Sequence, residues 1–451
     1  MTIPEVAQSC WVGNDEGELL VGVLPVSSIV ARYGTPVFIY DREIVERKLG
    51  ALRDVLPPRF SISYSVKANP NPVFLRFFLD QGCGLEIASA GEFHLAESVG
   101  CPPEKVVFAG PGKTEDELEF VIRQGIGEIH AESQLELQRI NAIAQKVGTK
   151  TRVAIRVNPD ETGQGGAMRM GGKSAPFGID EENLLSVLDQ FVNYPWVEFC
   201  GVHLFVGTQI LDAETLLAQY KKGIEVARNA ASHMNLPLQT LDFGGGLGIP
   251  YFPGEPALDL KQLRHGLQQL IVSVANESCF AHTKFVVEPG RFLVGECGIY
   301  VARVNDIKIS RGKKYLILDG GMNHHLAASG NLGRVIRRSF PMAILNKLDV
   351  ELTETVDIVG PLCTPLDTLG RSVTIPAPEV GDLVGIFQSG AYARSASPLG
   401  FLSHSTPPEV WVQEGQDFLI RTRGSRESHL ADTCAIGIGQ ERILRLTIPV
   451  R

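Results

Sequence analysis

The sequence predicts an α/β protein: a (β/α)8 TIM barrel over residues 41–300, followed by a mostly β domain over 301–451 that also takes strands from residues 1–40. Three observations carry this expectation. Between residues 41 and 300, short β-branched and aromatic runs alternate with helix-like stretches, the order expected of a parallel barrel. After residue 300 the helix-like stretches give way to short strand-like runs punctuated by glycine and proline. The 47 glycines exceed average usage, which suits many turns and a backbone that lies close to a ligand. An open, doubly wound parallel sheet would follow from the same alternation and is the structural alternative.

The elements follow in order. Leu19-Leu20-Val21-Gly22-Val23 and Pro36-Val37-Phe38-Ile39-Tyr40 are N-terminal strand candidates. In the first barrel strand, Phe60, Ile62, Tyr64 and Val66 alternate with Ser61, Ser63, Ser65 and Lys67. That period of two places Lys67 on a small, polar face at the strand's C-terminal end, before Asn69-Pro70 breaks it. Val106–Phe108, Glu128–His130, Arg152–Val157, Phe199–Leu204, Thr240–Phe243 and Lys284–Val287 supply further strands, with helix candidates such as Asp116–Arg123 and Ser133–Val147 between them. Later strand candidates are Ile299–Ile309, Lys314–Leu318, Glu351–Val359, Asp382–Phe387, Val410–Val412 and Arg442–Pro449.

Composition narrows the function. A chain of 451 residues exceeds one typical domain, and its 44% hydrophobic content can fill two cores. The net charge of -9 and the lack of a Lys/Arg-rich run argue against nucleic-acid binding. Met1–Val6 shows no basic start before an apolar core, and no apolar run is long enough to span a bilayer, so a cytoplasmic protein away from membranes is expected. The eight cysteines are scattered without CxxC or metal-ligand spacing, which fits free thiols in a reducing compartment.

Several segments carry chemistry. A lysine at the C-terminal end of a barrel strand, as Lys67 would be, could form a Schiff base with a carbonyl cofactor; a surface lysine past an edge strand is the plain alternative. Gly244-Gly245-Gly246 directly follows a strand and could let backbone N–H groups approach a phosphate, or simply make a tight turn. In Glu288-Pro289-Gly290-Arg291 the carboxylate could pair with a protonated ring nitrogen and the guanidinium with a carboxylate or phosphate. Cys363 lies on a proline-bounded loop, from which a thiol could donate a proton. Tyr392, just past Gly390, could offer its hydroxyl to a phosphate or pack in the core.

Taken together, and in this order, Tyr64-Ser65-Val66-Lys67-Ala68-Asn69, Ala88-Ser89 with Glu92, Arg156-Val157-Asn158-Pro159, Phe177-Gly178, Gly207-Thr208-Gln209, Gly244-Gly245-Gly246, Glu288-Pro289-Gly290-Arg291, Gly360-Pro361 with Cys363 and Asp367, and Gly390-Ala391-Tyr392 resemble the fold-type III pyridoxal-phosphate (PLP) decarboxylases. That family includes diaminopimelate, ornithine and arginine decarboxylases. The resemblance implies PLP as cofactor and a homodimer with shared active sites, to which the β domain contributes Cys363 and Tyr392. Lys67 would carry the cofactor covalently, and Ser89, Arg156, Phe205, Thr208, Gly245, Gly246, Glu288, Gly290, Arg291 and Tyr392 would bind it. Glu288 would keep the pyridine nitrogen protonated, which favours decarboxylation; an arginine there, as in fold-type III alanine racemases, would weaken the electron sink. Arg291, Thr364, Asp367 and Tyr392 would face the substrate. Cys363, reaching over from the partner subunit, would protonate the product carbanion.

Three departures from the family pattern bear on the substrate. Phe205 stands where the family has a histidine stacked on the cofactor ring, and His203, two residues earlier, reads as structural. Thr364 follows the cysteine where basic amino-acid decarboxylases carry an acidic residue. His324-His325 and the small residues Ala327-Ala328-Ser329-Gly330 replace the Arg-Pro-x-Leu-Tyr run of diaminopimelate decarboxylases, leaving room for something bulky. Adjacent histidines in a strand would point to opposite faces, so no metal site is expected. Arg334, Arg337 and Arg338 could meet an acidic carrier or substrate carboxylate, or form a solvated helix face. With Pro398–His404, this variant resembles a subgroup of secondary-metabolite and exopolysaccharide pathways, one type of which decarboxylates a glutamyl group on an acyl carrier protein. The implied activity is PLP-dependent α-decarboxylation of an amino acid or aminoacyl derivative, free or carrier-bound. Diaminopimelate decarboxylation and non-catalytic PLP binding are the alternatives.

Overall fold

Eight parallel strands close on themselves in the computed structural model, which describes residues 2–160, 168–169, 174–205, 207–330 and 338–430. They are β1 (Phe60–Ser65), β2 (Gly84–Ile87), β3 (Val106–Phe108), β4 (Glu128–Ala131), β5 (Thr151–Asn158), β6 (Val197–Leu204), β7 (Thr240–Asp242) and β8 (Lys284–Val287). Each pairs with its neighbour in the chain, and β8 pairs back onto β1 with Phe285 opposite Phe60 and Val287 opposite Ile62. Closure leaves no edge and removes the open-sheet alternative.

The helices between the strands begin where a short polar side chain can take an orphan backbone N–H. Asn71, Ser89, Thr114, Ser133, Asp212 and Asp259 each accept from the first turn of the helix that follows. Thr114 and Glu117 do so reciprocally. These caps pin the helix starts close to the strand ends, which steadies the loops around the barrel mouth.

The second sheet is organised by the long strand Gly298–Ser310. It pairs antiparallel with Val37–Asp41, Lys313–Leu318 and Leu383–Ile386. Val37–Asp41, buried along its whole length, also pairs in parallel with Glu409–Gln413. A strand from before the barrel therefore lies inside a sheet otherwise built after it. Val12–Gly13, Leu19–Val21 and Leu24–Pro25 form a separate three-stranded sheet. The strands Met342–Ile344, Thr368–Ile375 and Gln416–Arg421 escape the sequence pattern. Thr368–Ile375 shows why: it is an edge strand with register shifts, and its Ser372 has a φ of 49°. The expected strand Arg442–Pro449 lies outside the described residues.

The two parts of the fold are joined next to Lys67. β1 stops at Ser65, and Val66–Ala68 form one 3₁₀ turn, so the alternation ends two residues earlier than expected. The Tyr392 N–H donates to the Ala68 carbonyl at 2.8 Å, and Asn69 Nδ2 donates to the Gly390 carbonyl at 3.1 Å. Beneath them, the buried Glu409 accepts from Asn71 Nδ2 at 3.1 Å, from the Tyr40 hydroxyl at 2.8 Å and from Arg421 Nε. Removing that carboxylate strands several buried donors at once. Glu409→Ala is therefore expected to lower stability by on the order of 3 kcal/mol in urea unfolding, with Glu409→Gln losing less. An unchanged midpoint for Glu409→Ala would mean that this junction does not hold the two parts together.

Candidate active site

A cavity of about 240 Å³ opens at the C-terminal ends of the barrel strands. Of the residues expected from the sequence, Lys67, Arg156, Phe205, Thr208, Gly245, Gly246, Glu288, Gly290, Arg291 and Tyr392 all line it. Ser89, Cys363, Thr364 and Asp367 do not. The Ser89 hydroxyl caps the helix Ala90–Ser98, accepting from the Glu92 N–H at 3.2 Å. Asp367 is buried and accepts from the Met322 and Leu362 N–H groups at 2.7 and 2.8 Å. A Cβ on Gly321 or Gly360 would collide with its carboxylate. Within its own chain Asp367 thus anchors the Cys363 loop and faces away from this cavity. Thr364 Oγ1 accepts from the Leu366 N–H at 3.3 Å, and Cys363 is the exposed cysteine among those described.

One end of the cavity holds an amine. Lys67 Nζ lies 2.7 and 2.9 Å from the two oxygens of Glu86, whose Oε2 also accepts from the Ser65 hydroxyl. Burial alone would lower the Lys67 amine, but the Glu86 carboxylate, then Tyr392 and Glu288, raise it above the usual lysine range. Glu86 escaped the sequence reading. Its signal is faint: a single carboxylate between Leu85 and Ile87 in a buried strand, which alternation turns toward the barrel interior.

A second end suits an anion. A Cβ on Gly245 or Gly246 would meet the Glu288 and Gly207 carbonyls at 2.5 and 2.8 Å, so only glycine lets these backbones close up. Gly290 is equally tight, with its Cβ position 2.8 Å from the Ala68 Cβ. Beside this cradle, Arg291 Nη1 donates to the Tyr251 hydroxyl at 2.7 Å, and its guanidinium lies 4.8 Å from the Tyr392 ring centroid. Arg291 Nε is buried with no hydrogen-bond partner among the described residues. A buried cation with a spare N–H next to close-packed glycines fits a phosphate. Tyr392 itself is held at a φ of 54°, the left-handed region that costs about 1–3 kcal/mol for such a residue.

The floor is acidic. Glu288 Oε1 is buried 4.0 Å from His130 Nδ1 with no hydrogen-bond partner among the described residues, while its Oε2 lies 3.5 Å from His203 Nε2. Burial, and then the Glu288 charge, push Asp242 well above the usual carboxylate range. His203, read from the sequence as structural, lines the cavity, and its Nδ1 sits 3.0 Å from that of His130. His130, His203 and Glu288 approach within 4.8 Å of one another, a spacing that could suit a metal, but Glu128 and His203 already occupy both nitrogens of His130. Along the side wall, Arg156 Nη1 pairs with Glu132 Oε1 at 2.6 Å and lies 5.1 and 5.9 Å from the Phe177 and Phe205 ring centroids. Phe205 packs on the glycine turn, 2.9 Å from where a Gly244 Cβ would be.

The other sequence features lie elsewhere. His324 and His325 fall in a turn, where each ring finds its own buried partner: Tyr300 OH at 3.1 Å and Ser389 Oγ at 2.9 Å. Arg338 lies 3.6 Å from Glu255 and 4.3 Å from the Phe252 ring centroid; Arg334 and Arg337 are outside the described residues. No described helix is long and apolar enough to cross a membrane.

An amine, a spare carboxylate oxygen and a glycine–arginine cradle in one cavity complement a molecule with an aldehyde, a ring nitrogen and a phosphate, and PLP has all three. Comparison with known proteins points the same way. Residues 42–295 match the family model described as the pyridoxal binding domain of pyridoxal-dependent decarboxylases. The chain is 38% identical to the L-glutamyl-[BtrI acyl-carrier protein] decarboxylase of Niallia circulans, over 90% of this chain and 95% of that protein. It is 32% identical to the diaminopimelate decarboxylase of Aquifex aeolicus, over 90% of this chain and 94% of that one. Among solved structures, diaminopimelate decarboxylase from M. jannaschii in complex with L-lysine superimposes with a TM-score of 0.85 at 25% identity, covering 94% of this chain and 98% of the other. The chain belongs to the fold-type III pyridoxal-dependent decarboxylases, PLP-dependent lyases that release CO2 from an amino acid or an aminoacyl derivative.

Proposed function

We propose that this enzyme decarboxylates an aminoacyl group of the glutamyl type carried on an acyl carrier protein, and that it works in the cytoplasm as a homodimer with shared active sites. The observation that carries the substrate class is Thr364. At the position beside Cys363 the chain offers a hydroxyl already engaged by its own backbone, and no charge for a distal ammonium. The 38% identity to a decarboxylase of a carrier-bound glutamyl group supports the same reading. Diaminopimelate is disfavoured because burial pushes His324 and His325, in place of the carboxylate-binding run, well below the usual histidine range, so neither offers a charge to a distal carboxylate. The exposure of Cys363, outside the cavity of its own chain, supports a partner subunit as its destination. The free state of the seven described cysteines supports a reducing compartment.

PLP, when bound, supplies an electron sink for the pair left behind by the departing carboxylate. The chain does the rest. Lys67 provides the amine that tethers the cofactor, and Glu86 is the nearest base for the proton this amine must lose. Glu288 Oε1 would face the ring nitrogen and keep it protonated. Arg291, Tyr392 and the glycine backbones would hold the phosphate, so that binding energy far from the reacting carbon orients it. Phe177 and Phe205 wall off water. The partner's Cys363 returns a proton to the product carbon.

Three outcomes follow. Lys67→Ala loses the absorbance of the lysine-linked cofactor, and its turnover falls by on the order of a thousandfold or more; retained turnover would end that assignment. Cys363→Ala keeps the cofactor but slows product formation. Mixing it with Lys67→Ala restores about a quarter of the wild-type sites, because half of the reassorted dimers hold one intact site. No recovery on mixing rules out shared sites. With CO2 release and mass detection of the amine, the glutamyl-loaded carrier is the preferred substrate over free glutamate and meso-diaminopimelate; preference for the last would replace the carrier reading with lysine biosynthesis.

A further inference from the structure

We propose that His130 is a positioning residue: it carries a positive charge between Glu128 and Glu288 and thereby fixes the His203 ring with an N–H aimed at Glu288. The inference rests on Glu288 serving the ring nitrogen of the cofactor. It concerns a residue outside every motif that links this chain to its family.

The geometry forms a line across the barrel interior. Glu128 and His130 are two apart on β4 and share its inward face. Glu128 Oε1 lies 3.1 Å from His130 Nε2; His130 Nδ1 lies 3.0 Å from His203 Nδ1; His203 Nε2 lies 3.5 Å from Glu288 Oε2. All four residues are buried. Thr240 donates to the far oxygen of Glu128 at 2.9 Å, which fixes that end.

Counting protons along this line decides the charge. A carboxylate only accepts, so His130 Nε2 holds an N–H toward Glu128. If both rings were neutral, His130 Nδ1 would be bare and His203 Nδ1 would donate to it. With Glu288 ionised, as its role at the cofactor ring requires, His203 Nε2 would then present a lone pair to the Glu288 oxygen 3.5 Å away, a repulsive contact in a buried site. One more proton removes the conflict. His130 then holds both N–H groups, His203 accepts at Nδ1, and its Nε2–H points at Glu288. The Glu128–His130 and His130–His203 hydrogen bonds then each have one donor and one acceptor, His203 turns an N–H instead of a lone pair toward the Glu288 oxygen 3.5 Å away, and one positive charge lies between two carboxylates.

The surroundings agree. Burial, and then the neighbouring His130, push His203 well below the usual histidine range, so His203 is the neutral ring of the pair. Burial would raise Glu128, but the bond from His130 brings it below the usual carboxylate range. Asp242, 4.0 Å from His130 Nε2, is raised by burial and by Glu288, so it does not compete as an anion. Arg152 approaches only the far oxygen of Glu128, at 3.9 Å, while Glu86, Glu132 and Arg156 surround His203. The result for function is orientation. Glu288 Oε2 faces the His203 N–H at 3.5 Å, and Oε1, 4.0 Å from His130 Nδ1 and without a hydrogen bond among the described residues, is left for the cofactor ring.

Ring-nitrogen NMR of the PLP-loaded protein labelled with 15N-histidine reads this directly. At pH 7, His130 is expected with both nitrogens protonated and His203 with its proton on Nε2. A bare nitrogen on His130, or the His203 proton on Nδ1, overturns the proposal. This readout needs no turnover, so its failure is distinct from failure of the proposed reaction. Two substitutions add a second arm, with signals assigned by their loss. In His130→Asn the amide nitrogen stands where Nδ1 stood and can still donate to His203. In His130→Gln it stands where Nε2 stood and serves Glu128 alone. His130→Gln is expected to weaken PLP binding and lower kcat by about tenfold each with KM little changed, the size of one lost hydrogen bond to a charged group, whereas His130→Asn stays within about threefold of wild type. Equal losses in both variants, in step with a lowered melting temperature, would reduce His130 to packing and overturn the proposal.

Discussion

Buried charge is the constraint on which this structure depends. A barrel of eight strands fills its own interior, and near its mouth this one is filled with Glu86, Glu128, His130, His203, Asp242 and Glu288 instead of branched aliphatics. Each ion taken from water costs several kcal/mol unless something answers it. Most are answered within the chain: Lys67 by Glu86, Arg156 by Glu132, His130 by Glu128. Two buried charged atoms that line the cavity without a hydrogen bond among the described residues, Glu288 Oε1 and Arg291 Nε, suit a ligand that completes them. A cavity with an amine at one end, a guanidinium N–H without a hydrogen bond at the other and a carboxylate oxygen in its floor suits a phosphate-bearing cofactor with a carbonyl and a ring nitrogen.

The same constraint explains why two sheets build one site. Tyr392 belongs to the β part, yet its N–H closes on the Ala68 carbonyl and its ring lies against Arg291. Its left-handed backbone is tolerable because Asn69 and Gly390 are tied together beside it and Glu409 ties Asn71 to Tyr40 and Arg421 beneath. The loop that carries Cys363 is braced in the same manner by Asp367. Rigid supports of this kind let the turn bearing Lys67 keep its place while charge moves in front of it.

Substitutions relative to the family pattern change the wall and leave the ends intact. Phe205 keeps an aromatic face on the glycine turn but brings no titrating group, so the ionisable imidazoles nearest the ring are His203 and, behind it, His130. Both of these imidazoles are closed off from water.

Much of this could be read along the chain. The β-then-α alternation, the strand end at Lys67, the glycine cluster after β7 and the Glu288–Arg291 run were legible because each is a local pattern with a local cause: a period of two, or residues one turn apart. Glu86, His130, Glu132 and Tyr251 were not, since a lone polar residue in a strand looks the same whether it faces a cavity or solvent. Ser89 and Asp367 matched motifs, but they turned to backbone N–H groups that only the folded loops bring near. By itself the sequence determined the order of elements, the residue types at the strand ends and the chemistry they could supply. Tertiary structure alone decided which of them meet, where Val37–Asp41 enters the second sheet and that Asp242 is pushed up beside Glu288, because those outcomes depend on distances between strands far apart in the chain and on the loss of water between them.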